Sequence, residues 1–184
     1  MKKKTFLAAL AVAALAITSL SAYAQKDPDV GGAAMYPSKT IVANAVNSPI
    51  HKTLVAAVKA AGLVDTLNSP GPFTVFAPTD DAFAKLPAVT VETLVKPENK
   101  DTLVKILTYH VVPGRITSKE LMRMIRKGGG KATLKTVQGE DLTASMSGDK
   151  IILTDAKGGT STITTADVMQ SNGVIHVVDT VLMP

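Results

Sequence analysis

No cysteine occurs among the 184 residues. That absence excludes disulfides, thiolate nucleophiles, thiolate metal ligands and lipid attachment at an N-terminal cysteine. Tryptophan is also absent, and aromatic residues make up only 4% of the chain. Beyond residue 24 the aromatics are Phe73, Phe76 and Phe83, which fall at core positions, and Tyr36 and Tyr109. Two tyrosines are too few for a platform that stacks sugars or single-stranded bases, so sequence-specific nucleic-acid binding is not expected. Long apolar runs are scarce as well. The single one spans Phe6 to Leu20, between Lys2-Lys3-Lys4 and the small-x-small sequence Ala22-Tyr23-Ala24. A basic start, a short apolar core and such a site make a secretory signal peptide, not a membrane span.

Cleavage is expected after Ala24, leaving a mature chain of about 160 residues, enough for one domain with its own core. Losing the three lysines lowers the net charge from +5 to about +2, so overall basicity says little about partners. No second apolar run of about 18 residues follows, and no Asn-x-Ser/Thr sequon is present, so neither a transmembrane anchor nor an N-glycan is expected. The mature protein is expected in the periplasm or outside the cell.

Catalytic patterns are missing too. There is no Gly-x-Ser-x-Gly elbow, no His-Glu-x-x-His pair and no phosphate-cradling glycine loop. Gly128-Gly129-Gly130 follows a helical segment and reads as its stop. Asp80 and Asp81 form a carboxylate pair, but they sit just after Thr79, where a capped helix favours negative charge. His51, His110 and His176 lack the spacing of metal ligands. No enzyme activity, cofactor or metal is expected.

What is present is a change of rhythm. Residues 25–38 hold Asp27-Pro28, Gly31-Gly32 and Pro37 among few apolar residues and read as a flexible lead-in. Residues 39–184 then form one domain. Ile41, Val42, Ala45 and Val46 recur at helical spacing, Ser48-Pro49 restarts the chain as N-cap and first helical residue, and Leu54, Val55, Val58 and Ala61 carry the second helix to Gly62. His51 falls early in that helix and reads as solvated. Phe73 to Ala77 reads as a buried strand, Val91–Lys96 and Pro97–Thr108 as helical, and Tyr109–Val112 as strand-like. Ser118 to Lys127 is strongly amphipathic, with Leu121, Met122 and Ile125 on one side and Lys119, Arg123, Arg126 and Lys127 on the other. From Lys131 onward short β-branched runs alternate with glycine-bearing turns. Helices first and strands second give an α+β fold.

Between Arg115 and Lys135 seven basic residues face only Glu120. Arg115, Lys119, Arg123, Arg126 and Lys127 form a basic patch, readable either as a solvated helix face or as a surface for anionic polysaccharide, lipid headgroups or extracellular DNA.

Three ordered segments resemble one family. FTVFAPTDDAF (73–83) is similar to the first signature of the fasciclin-like (FAS1) domain, TYHVVPG (108–114) to its central Tyr-His segment and SNGVIHVVDTVLMP (171–184) to its second signature, with TVQGEDL (136–142) between them. The resemblance implies a β-sandwich flanked by helices along one edge, ending on the last signature strand. It implies a secreted adhesion or surface-association module that binds a cell-surface or matrix polymer or protein. In that family the Tyr-His pair, here Tyr109 and His110, is linked to receptor binding. Asn99, Lys100 and Asp101 resemble a segment linked to integrin recognition in animal members. The residues themselves also allow His110 to be a buried histidine paired to backbone. His176 and the turn at Asn172-Gly173 read as structural. An alternative function is a carrier of an apolar small molecule, a carotenoid or lipid, with Met122, Met124, Met146 and Met169 lining an adaptable groove.

Overall fold

The computed structural model describes residues 28–184, so the expected signal peptide and cleavage site lie outside the described residues. Strands β1 (Asp29–Val30) and β2 (Ala33–Ala34) form a small hairpin. Helices α1 (Ile41–Ala45), α2 (Lys52–Ala61) and α3 (Val64–Asn68) come next, then β3 (Phe73–Pro78), α4 (Asp80–Ala84) and α5 (Ala88–Leu94). A 3₁₀ turn at Pro97–Asn99 runs into α6 (Lys100–Tyr109), followed by β4 (Val111–Pro113) and α7 (Ser118–Lys127). The chain closes with β5 (Lys131–Lys135), β6 (Asp141–Ser147), β7 (Lys150–Thr154), β8 (Thr160–Gln170) and β9 (Gly173–Val178).

Seven strands make one mixed sheet in the order β4-β3-β9-β8-β7-β6-β5. The pattern of side chains explains each position. β5 alternates exposed lysine or threonine with buried Ala132 and Leu134, the period of a strand covered on one face. β9 is buried at every residue and β3 at all but its first, so both lie in the middle and pair in parallel, Phe76 opposite His176. β8 serves two neighbours: Thr160–Thr162 face β7, and Ile163–Gln170 face β9 across two register breaks. Those breaks, with Asp167 at φ 59°, bend the strand and fold the sheet over itself. Beyond β5 the Val137 amide donates to the Val111 carbonyl at 2.8 Å, which draws that edge towards β4 and nearly closes the sheet.

The core has two compartments. Inside the curled sheet, under α7, lie Phe76, Tyr109, Leu121, Leu134, Leu142, Leu153 and Leu182. On the other face of β3 and β9, Val75, Ala77, Ile175 and Val177 pack against Leu54 and Ala57 of α2 and Leu103 and Ile106 of α6. Each buried Val, Leu, Ile or Phe side chain among them contributes about 1.5–3 kcal/mol, and in a chain without disulfides this is the main stabilising term.

Three local expectations are corrected. The described part of the lead-in is not loose, because Val30 and Met35 are buried in the helical compartment. α2 begins at Lys52, not at Pro49, and Ser48 does not cap it. Its open amides at Lys52 and Thr53 are taken by the Asp80 carboxylate at 3.3 and 2.8 Å, from a different helix. Burial pushes the Asp80 carboxyl up, but these amide bonds and the nearby His51 outweigh it and hold it below its ordinary value. Val46, expected on an apolar face, is exposed, and Asn44 is buried in its place, donating to the Tyr36 carbonyl and to Gln170. The α7 boundaries agree with the sequence reading: Thr117 accepts from the Glu120 amide, and Arg126 and Lys127 sit in the last turn, where the helix dipole favours cations.

Candidate functional site

The Tyr-His pair stands at the junction of α6 and β4, and both side chains are buried. The Tyr109 hydroxyl donates to the Asp141 carbonyl at 2.9 Å and accepts from the Ala156 amide at 3.0 Å. Burial pushes this hydroxyl's pKa up. His110 has Nδ1 2.8 Å from the Ile106 carbonyl, to which it donates, and its Nε2 accepts from the Leu182 amide at 3.0 Å. One donor and one acceptor define a neutral ring, and burial pushes its pKa down to about 4. Every polar atom of the pair is satisfied internally, so neither side chain offers an atom to a partner in this conformation. The pair clasps α6 to the β6 start, the β7–β8 turn and the C-terminal segment. Tyr109→Phe keeps the ring and orphans one amide and one carbonyl. It is expected to lose about 1–3 kcal/mol, read by chemical denaturation; an unchanged midpoint would show that the clasp carries no weight.

His176 repeats the theme. Its ring stacks on Phe76 at 5.7 Å, its Nε2 donates to the Ile116 carbonyl at 2.8 Å, and its Nδ1 accepts from the Asp167 amide at 3.3 Å. Burial lowers its pKa against the raising effects of the Ile116 carbonyl and Asp167.

His51 departs from the sequence reading. It is 3% exposed, not solvated. Proline at position 49 and the late start of α2 turn the ring inward, where Nδ1 lies 2.7 Å from the Ser48 hydroxyl. Its Nε2 is the one buried side-chain nitrogen or oxygen without a hydrogen-bond partner among the described residues. Burial lowers its pKa, while the Ala77 carbonyl and Asp80 act in the opposite sense.

Of the surface candidates, Asn99 donates its amide to the Thr93 carbonyl at 2.9 Å and joins the 3₁₀ turn to α5, while Lys100 and Asp101 are exposed on α6. Some of the basic residues are engaged within the fold and others are not. Arg115 lies before α7 and donates to the carbonyls of Gln170 and Ser171, both at 3.1 Å. Arg123 is paired with Glu120, and Lys135 with Asp141 at 3.1 Å. Lys119, Arg126, Lys127 and Lys131 are exposed and carry no ion pair among the described residues.

The methionine groove is not where it was expected. Met122, Met124 and Met146 pack against the core inside the sheet. The apolar cavity, of about 80 Å³, instead lies in the helical compartment. Its walls include Val30, Met35 and Ile41 on one side and Val75, Val168 and Ile175 on the other, with Ser48 and His51 in the lining.

The Fasciclin domain family model matches residues 49–184. This chain belongs to the fasciclin domain family. A Synechocystis sp. protein, sll1483, is 51% identical over 160 residues, covering 87% of this chain and 82% of that protein. The cell surface glycolipoprotein MPB83 of Mycobacterium bovis is 36% identical over 168 residues, covering 88% of this chain and 69% of that protein. A solved FAS1 domain pair from the insect cell adhesion molecule Fasciclin I superposes with a TM-score of 0.71 at 20% identity, over 79% of this chain and 51% of that one. The chain thus spans about half the length of that domain pair, and the likeness concerns the fold.

Within this fasciclin domain the two signature segments are the parallel central strands β3 and β9, and the Tyr-His segment is the neighbouring edge. The turn before β9 does more than reverse the chain. Asn172 Oδ1 accepts from the Ile41 amide at 3.0 Å, and its Nδ2 donates to the carbonyls of Leu67 at 2.7 Å and Ser69 at 3.0 Å. One side chain thereby ties the start of α1 and the end of α3 to the sheet. The sequence signal was only an Asn before a Gly, which turn chemistry already explains.

Proposed function

We propose that this fasciclin domain is an exported, non-enzymatic surface-association module that engages an anionic envelope or matrix polymer through the end of α7 and the start of β5. Membership of the family supports the class of function, as do the adhesion and cell-surface roles in the names of Fasciclin I and MPB83. The observation that carries the choice of surface is the set Arg126, Lys127 and Lys131, exposed and without ion-pair partners among the described residues. Cations spread on a helix end and an adjoining strand attract a polyanion without needing a deep pocket. Lys100 and Asp101 remain exposed for a second contact, and Tyr109 and His110 support the fold beneath.

A cation near an anionic surface contributes about 1 kcal/mol. Replacing Arg126, Lys127 and Lys131 together by Ser is therefore expected to weaken binding to heparin, used as a probe polyanion, on the order of a hundredfold at low salt. Lys52→Ser, at the exposed start of α2, should leave it unchanged. Equal elution of the triple variant and the parent from a heparin column would sink the assignment.

A second reading is that the domain carries an apolar small molecule. The cavity under α1–α3 favours it.

A further inference from the structure

The cavity lies between the helices and the outer face of β3 and β9. Its walls are apolar, aliphatic but for Phe73 and Phe76, and part of them, namely Val30, Met35, Ile41, Val42 and Ala45, comes from residues that precede the matched segment 49–184. Its polar lining residues are mostly committed elsewhere. Thr108 donates to the Val104 carbonyl, and His110 is paired at both nitrogens. Lys59 also borders the cavity, but it is eight residues beyond His51 on α2, about 12 Å along the helix. Thr66 lines the cavity too, but it is exposed to solvent. That leaves the buried His51, whose Nε2 has no partner of hydrogen-bond geometry.

The tautomer follows from Ser48. The Ser48 hydroxyl is buried, and its one hydrogen bond among the described residues is to His51 Nδ1. If the ring donated to it, the hydroxyl proton would have no acceptor. Ser48 therefore donates to Nδ1, and the ring proton sits on Nε2 as an unused donor. The Ala77 carbonyl acts on the ring but does not meet hydrogen-bond geometry at Nε2, so this buried donor is poorly satisfied, which is unfavourable. A single water would not relieve it well, because a buried water needs two to four polar partners and these walls supply few.

Resting on the carrier reading, we propose that the cavity binds the end of an apolar chain that bears a carbonyl-type oxygen, and that His51 Nε2–H donates to that oxygen with Ser48 fixing the tautomer. The volume suits an alkyl segment, not a whole lipid: it is about half of the roughly 150 Å³ that accepts benzene in an engineered apolar cavity. The remainder of a longer molecule would leave past the β1–β2 hairpin or along α2.

The test uses acetone and its isosteric alkene isobutene, in which C=CH₂ replaces C=O, small enough for this volume, titrated into the mature protein and into His51→Leu and followed by NMR. Both probes should bind the parent. The ratio of ketone to alkene affinity should fall about fivefold in His51→Leu, the worth of one hydrogen bond. In the parent, the His51 Nε2–H proton should move downfield with ketone and stay in place with alkene, a readout independent of whether the variant folds. If the alkene binds but the ratio and the proton do not respond, the carrier reading stands and the role of His51 is overturned. If neither probe binds, both fall.

Discussion

Acidification from pH 6.5 to 4 is expected to remove about 3 kcal/mol of folding stability through His110 alone. The ring titrates near 4 in the folded protein, against an ordinary value of 6.5, because it is buried and its Nε2 is spent accepting from Leu182. The unfolded chain therefore binds a proton in that interval that the folded chain does not. Stability falls as pH drops through it and, for this group, is flat above 6.5 and below 4. A tenfold difference in proton affinity between the folded and unfolded chain corresponds to about 1.4 kcal/mol. His51 and His176 are also held below their ordinary value by burial, so both act with the same sign. Asp80 and Asp179 are held below theirs against burial, Asp80 chiefly by the Thr53 and Lys52 amides and Asp179 by the Thr162 amide, the Thr180 hydroxyl and Lys85. Their contribution is lost only as pH falls below 3.8, the ordinary aspartate value, so the window from 6.5 to 4 belongs to the histidines. Urea unfolding at pH 7, 5.5 and 4.5 measures this directly. A stability that stays level over that range would mean that at least one buried ring charges without opening the fold.

Asn172→Ala is the substitution expected to do the most damage outside the hydrophobic core. It strips an acceptor from the Ile41 amide and donors from the Leu67 and Ser69 carbonyls in a region that water barely reaches. Buried groups left unpaired cost about 1–3 kcal/mol each. Some relaxation is expected, so the total should come to about 3 kcal/mol, or roughly 10 °C in Tm for a domain of this size. Asn172→Asp is the sharper control. It preserves shape and keeps the acceptor for Ile41, but it turns a carboxylate oxygen towards two carbonyl oxygens. It should therefore be no milder than the alanine variant. An aspartate variant as stable as the parent would show that the side chain fills space and that its donors are immaterial.

These residues mark where the sequence could be read and where it could not. The amphipathic spacing of Leu121 and Ile125 against Lys119 and Arg126 was enough to place α7 to the residue, because a helix face is a local pattern and Thr117 with Gly128 bounds it. The β5–β9 strands were legible through short β-branched runs set between glycine-bearing turns. His51 was misplaced because Ser48-Pro49 looks like a helix start, whereas α2 takes its cap from Asp80, 27 and 28 residues away in sequence. Of the site candidates, Lys100 and Asp101 and the end of α7 are at the surface as polarity suggests. Tyr109 and His110 are not, since their partners come from Asp141, Ala156 and Leu182.

By itself the sequence determined the α+β class, the family through three ordered segments and the elements whose boundaries are set by near neighbours. The tertiary structure alone decided which polar side chains are buried and therefore spent. His110 meets Leu182 across 72 residues, and Asn172 meets Ile41 across 131. Periodicity reports which face of an element is apolar, but the partner of a polar atom is fixed only when the sheet curls and the helices close over it.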